Sequence, residues 1–334
     1  MIRPDWPDRN LENIYMTEIR GKRIVITGAT GFIGRNTASM FLDQGADVFV
    51  LVRPQSKQKE LLPVHEHLHI VNGGLADIKA AVGEIGHADA FLHFAWGGVN
   101  REEIDSPAVQ KQNIDWSLDC VEAAGMLGCR VFMDAGSRVE YGIKEDGVMS
   151  EHMSCDPVNE YGKAKLAFYR QAKPLCEKWN MTYYHLRFFS VYGAGDHPWS
   201  IISTLVRDLP LEQKVSLSAC MHRWNFMDIE DAARALVELY RHSDSVDQGC
   251  SEIVNIASED TRRLKEFVET IHELCDRKGQ LEYGTFVQAK EGALSICPTV
   301  DVLKRLTEYT WKERVSFEEG IRRMLERNDC GGVK

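Results

Sequence analysis

Near the start of the chain, three glycines at three-residue spacing follow a short β-branched run: Lys22-Arg-Ile-Val-Ile-Thr-Gly28-Ala-Thr-Gly31-Phe32-Ile33-Gly34. Ile24, Val25 and Ile26 suit a buried strand. An amphipathic segment from Arg35 to Gln44 comes next and stops at Gly45. Strand, glycine turn and helix start in that order build a phosphate site. The first glycine permits the tight turn, the second lets backbone approach a pyrophosphate, and the third allows close helix–strand packing. Free N–H groups and the positive end of the helix dipole then face the anion. A plain glycine-rich turn is the competing reading, and the flanking strand and helix favour dinucleotide binding over it.

The rest of the chain has to continue that unit. Asp47–Val52, Leu68–Val71, Ala88–Phe94, Val131–Asp134 and Tyr183–Phe189 read as further strands, with helices over 106–128 and 158–179. Strands alternating with helices predict an α/β fold, a Rossmann-type doubly wound parallel sheet. Crossover handedness places ligands at the carboxyl ends of its strands. After residue 190 the alternation loosens. A loop over Ser190–Pro198, helices over Trp199–Leu209 and 226–242, and a short strand over Glu252–Ile256 follow. Amphipathic helices over Leu264–Cys275 and Ser316–Leu325 complete the chain. The expected organisation is an N-terminal extension over 1–20, with Trp6 as an anchor, and a Rossmann domain over 21–189. Residues 226–256 return to that domain, and a substrate lobe is built from 190–225 and 257–330.

Composition excludes other classes. A net charge of −10 argues against a nucleic-acid partner, which wants a basic face, but it leaves a local anion site open. Nine cysteines without a C-x-x-C pair suggest reduced thiols and a cytoplasmic protein. No apolar run approaches a membrane span, and the first residues do not read as a signal peptide. His65, His67 and His69 alternate, but no cysteine or carboxylate nearby completes a ligand set, so no metal is expected.

Tyr161 and Lys165 stand four residues apart on one helix face. An ammonium beside a phenol lowers the tyrosine pKa and turns it into a usable acid/base at neutral pH. Ser137, at a strand end, can hydrogen-bond a substrate oxygen. A solvated helix face and a turn serine are the plainer readings of these residues. The strand end at Arg53, 19 residues after Gly34, carries no Asp or Glu between Val48 and Lys59. An arginine there favours the 2′-phosphate of NADP over the ribose hydroxyl of NAD.

With these motifs the chain resembles the extended short-chain dehydrogenase/reductase family of nucleotide-sugar epimerases, dehydratases and reductases. The resemblance runs over nearly all of residues 22–326. It is carried by the glycine fingerprint, Ser137 before Gly142, Tyr161-Gly-Lys-Ala-Lys165, Leu186-Arg-Phe-Phe-Ser-Val-Tyr-Gly193 and Phe226-Met-Asp-Ile-Glu-Asp-Ala-Ala233. It implies that Tyr161 exchanges a proton with a sugar oxygen held by Ser137, and that Lys165 contacts the nicotinamide ribose. It also implies cofactor contacts from Gly28, Gly31, Phe32, Ile33, Gly34, Leu75, Ala95 and Phe188, and substrate contacts from Trp96, Ser137, Arg138, Ser190 and Arg223. Arg138-Val139 replaces the Asp-Glu pair of the sugar dehydratases, so 4,6-dehydration is not expected. Ser190 replaces a diphosphate-binding asparagine. Trp224 holds the place of a diphosphate arginine, leaving Arg223 one residue earlier as the candidate; Gly74 replaces an aspartate near the adenine. Glu140 falls in a normally apolar position, either as a partner for Arg138 or exposed. The motifs look most like reductases of nucleotide-linked 4-keto-6-deoxy sugars. A 4-epimerase retaining NAD and a non-catalytic NADP-binding sensor are the alternatives. The resemblance further implies a homodimer formed through helices 106–128 and 158–179, with Leu166, Phe168 and Tyr169 exposed.

Overall fold

The computed structural model describes residues 17–100, 102–144, 147–286 and 295–330. Residues 1–16 of the expected N-terminal extension, with Trp6, lie outside them. The first half runs β1 (Arg23–Thr27), α1 (Phe32–Asp43), β2 (Asp47–Val52), β3 (Leu68–Asn72), α2 (Ile78–Ile85), β4 (Ala90–His93), α3 (Pro107–Met126) and β5 (Val131–Ser137). It continues through β6 (Val148–Met149), α4 (Glu160–Lys178), β7 (Thr182–Phe188), β8 (Ser190–Tyr192), α5 (Ile201–Asp208) and β9 (Lys214–Leu217). The chain then forms β10 (Arg223–Asp228), α6 (Ile229–Arg241), β11 (Ser251–Ile256), β12 (Thr261–Arg263) and α7 (Leu264–Leu274). Last come β13 (Gln280–Tyr283), β14 (Cys297–Pro298), α8 (Asp301–Leu306) and α9 (Phe317–Cys330).

Seven strands make the main sheet in the order β11-β7-β5-β4-β1-β2-β3, all pairs parallel. Helices cover both faces, which is why its central strands are nearly continuous apolar runs. Every residue of β7 is buried. On one face α1 and α6 pack over Ile24, Ile26, Val48 and Val50; on the other, α2, α3 and α4 cover Val25, Phe91, Phe132 and Tyr183. The chain steps from β1 outward to β3, then crosses to β4 on the other side of β1. The crevice beyond the carboxyl ends of β1 and β4 is therefore the switch point where such sheets bind ligands.

A smaller sheet of β12, β10 and β8 stands beside the main one. Its strands close over a separate core of Tyr192, Phe226, Phe267, Phe317 and Ile321. Here the reading of 226–242 as a single helix is corrected. Residues Arg223–Asp228 are a strand paired with β8 (Phe226↔Ser190), and the helix starts only at Ile229. The Asp228 carboxylate marks that start by accepting from the Glu230 N–H at 2.8 Å. The strand β5 also runs three residues further than expected, to Ser137.

The exposed stripe expected on α4 is corrected too. Leu166 and Phe168 are buried inside the protomer, and the Phe168 ring meets Trp96 edge-on at 6.3 Å. His67 and His69 both turn to the Asp47 carboxylate, at 2.9 and 3.3 Å. Among the described residues no cluster could hold a metal ion, and no helix is long and apolar enough to cross a membrane. The eight described cysteines are free thiols, five of them buried.

Candidate active site

The glycine turn after β1 is packed so tightly that only glycine fits. Gly28 has φ +72°, and a Cβ there would stand 2.6 Å from the Ala95 nitrogen. A Cβ on Gly34 would run into the Gly28 carbonyl. Gly31 precedes α1 with extended backbone and no side-chain cap, so no side chain of the cap satisfies the first N–H groups of the helix beside the crevice that Gly31 lines. A cavity of about 370 Å³ opens there. Gly28, Gly31, Arg53, Gly74, Leu75, Ala95 and Trp96 line it, joined by Ser56, Gln58 and Trp116, which sequence reasoning did not single out. Phe32, Ile33 and Gly34 form the first turn of α1. Phe188 ends β7 and meets Phe94 edge-on at 6.4 Å. A glycine-walled groove ending on free helix N–H groups, with an arginine at its far end, fits an extended dinucleotide diphosphate.

The loop after β4 is held in place by α3. Asn113 accepts from the Gly97 N–H at 3.0 Å and donates to the Gly97 carbonyl at 2.9 Å. The Trp96 indole N–H donates to Gln110 at 2.9 Å, and Gln110 donates to the Gly98 carbonyl at 3.1 Å. Below it, the Ser117 hydroxyl donates to the Asn113 carbonyl at 2.6 Å, so it accepts from His93 Nε2 at 2.8 Å. The other ring nitrogen of His93 then accepts from Thr27 at 2.8 Å. Burial, with Lys165 nearby, holds His93 neutral, its pKa pushed down to about 3. Gln110, Asn113 and Ser117 are polar residues at helical spacing on a buried helix face. That pattern is the signal that marks this support.

Ser137 ends β5 and starts a 3-10 turn over Arg138–Tyr141. Tyr161 stands in the first turn of α4, whose start Asn159 caps by accepting from the Gly162 N–H at 2.8 Å. Trp96 joins the two parts of the site: it lines the dinucleotide groove and lies edge-on to Tyr161 at 6.3 Å. The buried Lys165 ammonium sits 3.4 Å from the Trp96 ring centroid and 5.7 Å from that of Tyr161. The expectation that Lys165 lowers the Tyr161 pKa is corrected. Burial pushes the phenol up to about 12, with the Ser137 hydroxyl acting in the opposite direction. Burial pulls Lys165 down to about 7 against the charges of Asp134 and Glu140. The ammonium rests on an indole face, and desolvation decides both groups.

Glu140 is neither exposed nor paired with Arg138. It is fully buried: Oε1 accepts from the Ser137 N–H at 2.7 Å, and Oε2 accepts from His185 Nε2 at 2.8 Å and Arg187 Nε at 3.1 Å. His185 Nδ1 faces Asp134 at 2.9 Å, and the Tyr183 hydroxyl donates to the same oxygen at 2.8 Å. Both imidazole nitrogens face carboxylate oxygens, so both carry protons. Burial alone would lower the His185 pKa, but the two carboxylates outweigh it and raise it to about 9. Burial would raise Glu140, and His185 and Arg187 more than reverse it, leaving its pKa lowered. Ser137-x-x-Glu140 is a capping-box spacing, a local signal for the Glu140–Ser137 bond.

The Trp224 indole N–H donates to the Ser190 hydroxyl at 2.9 Å, and the Arg138 guanidinium lies 5.1 Å from the Trp224 ring centroid. Arg138, Ser190 and Trp224 thus meet. Arg223 does not join them: its exposed guanidinium donates to the Thr261 carbonyl at 3.0 Å.

The model of the NAD dependent epimerase/dehydratase family matches residues 24–257. The chain is 23% identical to a UDP-glucose 4-epimerase of Corynebacterium glutamicum, covering 75% of this chain and 80% of the relative. It is 24% identical to a dTDP-6-deoxy-L-talose 4-dehydrogenase (NAD(P)(+)) of Kitasatospora kifunensis, covering 90% of this chain and 94% of the relative. Among solved structures, MoeE5 in complex with UDP-glucuronic acid and NAD superposes with a TM-score of 0.77 at 26% identity, over 92% of this chain and 99% of that one.

Proposed function

The chain belongs to the NAD dependent epimerase/dehydratase family, and from that premise we propose that it reduces a nucleotide-linked 4-keto sugar with NADPH. The observation that carries the proposal is the placement of Tyr161 and Lys165 against Trp96, with the Ser137 hydroxyl beside the Tyr161 phenol. Trp96 in turn lines a groove with Arg53 and, among the described residues, no carboxylate. The bound nicotinamide supplies the hydride. The protein supplies position and a proton. Ser137 holds the sugar oxygen. Tyr161, with its pKa pushed up to about 12, stands protonated at neutral pH and donates its proton to that oxygen as negative charge develops on it. A phenol that rests protonated suits a reaction that begins by giving a proton. Lys165 reaches the same space and binds the ribose on the nicotinamide side. Arg53, with Ser56 beside it, takes the adenosine 2′-phosphate. Arg138 and Ser190 line the substrate side.

The similarity to a UDP-glucose 4-epimerase favours one second reading, an epimerase that retains NAD. The names of that relative and of MoeE5's ligand make uridine nucleotides the first substrates to try. The test is to purify the protein, release and identify any bound dinucleotide, and then add NADPH with a UDP-linked 4-keto sugar. An empty preparation that consumes NADPH supports the reductase. Tightly held NAD, with interconversion of two UDP-sugars and no net NADPH use, supports the epimerase. Tyr161→Phe should reduce kcat about 100-fold or more while leaving the cofactor Kd within about twofold. A variant keeping more than about a tenth of the activity removes Tyr161 from the proton step.

A further inference from the structure

The buried charges behind Ser137 balance: Asp134 and Glu140 against the imidazolium of His185 and Arg187. Two cationic side chains flanking Ser137 and Tyr161 are left outside that balance. Lys165 lies on the indole of Trp96 and Arg138 on the indole of Trp224. Among the described residues neither has a carboxylate partner. Lys165 has its role in the reaction proposed above. Arg138 has no partner although Glu140 is only two residues away, because that carboxylate already takes three donors from Ser137, His185 and Arg187. Among the described residues its contact is with a π-face, which holds a guanidinium in place without neutralising it. The group is also drawn out of water, which lowers its pKa to about 10. A cation desolvated without a counter-ion is unfavourable by itself and becomes favourable when an anion completes it.

We propose that Arg138, braced on Trp224, is the receptor for an oxyanion of the substrate. A guanidinium presents paired N–H donors that match a carboxylate or phosphate edge. Arg138 directly follows Ser137, so adjacent residues hold the anion and the reacting sugar oxygen. The Ser190–Trp224 hydrogen bond keeps the indole from turning away. This reading deepens the nucleotide-sugar reading and rests on it. Two parts of such a substrate offer the required chemistry: the diphosphate, and a carboxylate on the sugar's exocyclic carbon.

The experiment measures Kd by calorimetry for UDP, UDP-glucose and UDP-glucuronate, with the full chain as wild type, Arg138→Gln and Arg138→Lys. Thermal melting without ligand serves as the control. Because no ion pair is lost and a desolvated charge is removed, Arg138→Gln should melt at or above the wild-type temperature. If the diphosphate is the anion, Arg138→Gln weakens all three ligands about tenfold or more. If a sugar carboxylate is the anion, wild type prefers UDP-glucuronate over UDP-glucose and the variant loses that preference while binding UDP as before. Either pattern, with partial recovery in Arg138→Lys, supports the receptor. Ligand affinities unchanged in Arg138→Gln overturn it and leave the nucleotide-sugar reading standing. If wild type binds none of the three, both fall.

Discussion

The proposed preference for NADPH rests on one side chain, Arg53. It is exposed at the strand end, and the cavity it borders has no carboxylate among its described lining residues. Arg53→Ala should therefore weaken NADPH binding about tenfold while changing NADH binding less than twofold, because only NADPH carries a 2′-phosphate for the guanidinium. Fluorescence titration of both cofactors against both proteins decides it; a wild type that already prefers NADH removes the NADP reading. His185 makes a second residue-scale prediction. It faces Asp134 and Glu140 through its nitrogens, with Arg187 on Glu140 and the Tyr169 ring 4.8 Å away. Its folded pKa of about 9 lies above the ordinary value near 6.5, so the stability it contributes is complete below about 6.5 and is lost as pH rises through about 9. The imidazole C–H resonances should keep their protonated positions to pH 8; a midpoint near 6.5 would mean the two carboxylates do not hold the proton. Glycine 136 lies against the same cluster: an added Cβ would stand 2.6 Å from His185 Nε2 and 2.8 Å from Glu140 Oε1. Gly136→Ala should cost about 1–3 kcal/mol in urea unfolding.

Elements carry the site by holding one another. Helix α3 does this for the loop after β4 through Gln110, Asn113 and Ser117, three polar residues on a buried face. Asn113→Leu removes both bonds to Gly97 and leaves its N–H and carbonyl without those partners. A loss of about 1–3 kcal/mol is expected in urea unfolding. Cofactor Kd should rise several-fold, since Gly97 and Trp96 line the groove. An unchanged Kd would show that the loop keeps its shape without α3. The element most misjudged from sequence is β10. Phe226 and Met227 fit a helical period as well as a strand, and the partner that makes them a strand, β8, lies over 30 residues away in the chain. Local pattern cannot see such pairing, so the sequence alone puts the helix start three residues before Ile229.

For the whole molecule, the parallel sheet follows from alternation along the chain, whereas assembly does not. Two of the three α4 residues offered for a dimer face are interior, and the exposed part of that helix shows Lys163, Arg170, Gln171 and Lys173. The two-fold pairing of protomers is still our proposal, now resting on Ile114 and Leu118, half-buried and one turn apart on α3. Light scattering at micromolar concentration should give twice the chain mass; a monomer mass overturns it. What the sequence determined by itself is local. The glycine turn between β1 and α1, the Tyr161–Lys165 spacing on one helix and the alternation of strands and helices each arise from residues within a few turns of one another. Their backbone preferences and apolar periods are legible without the rest of the chain. Only the tertiary structure decided where the charges went. Glu140 meets His185 and Arg187 from 45 and 47 residues away. Lys165 settles on Trp96 and Arg138 on Trp224, each from a different element. Which carboxylate neutralises which cation depends on distance and desolvation in the folded interior. That is why Glu140 passes over Arg138, two residues away, and leaves its guanidinium on the Trp224 indole.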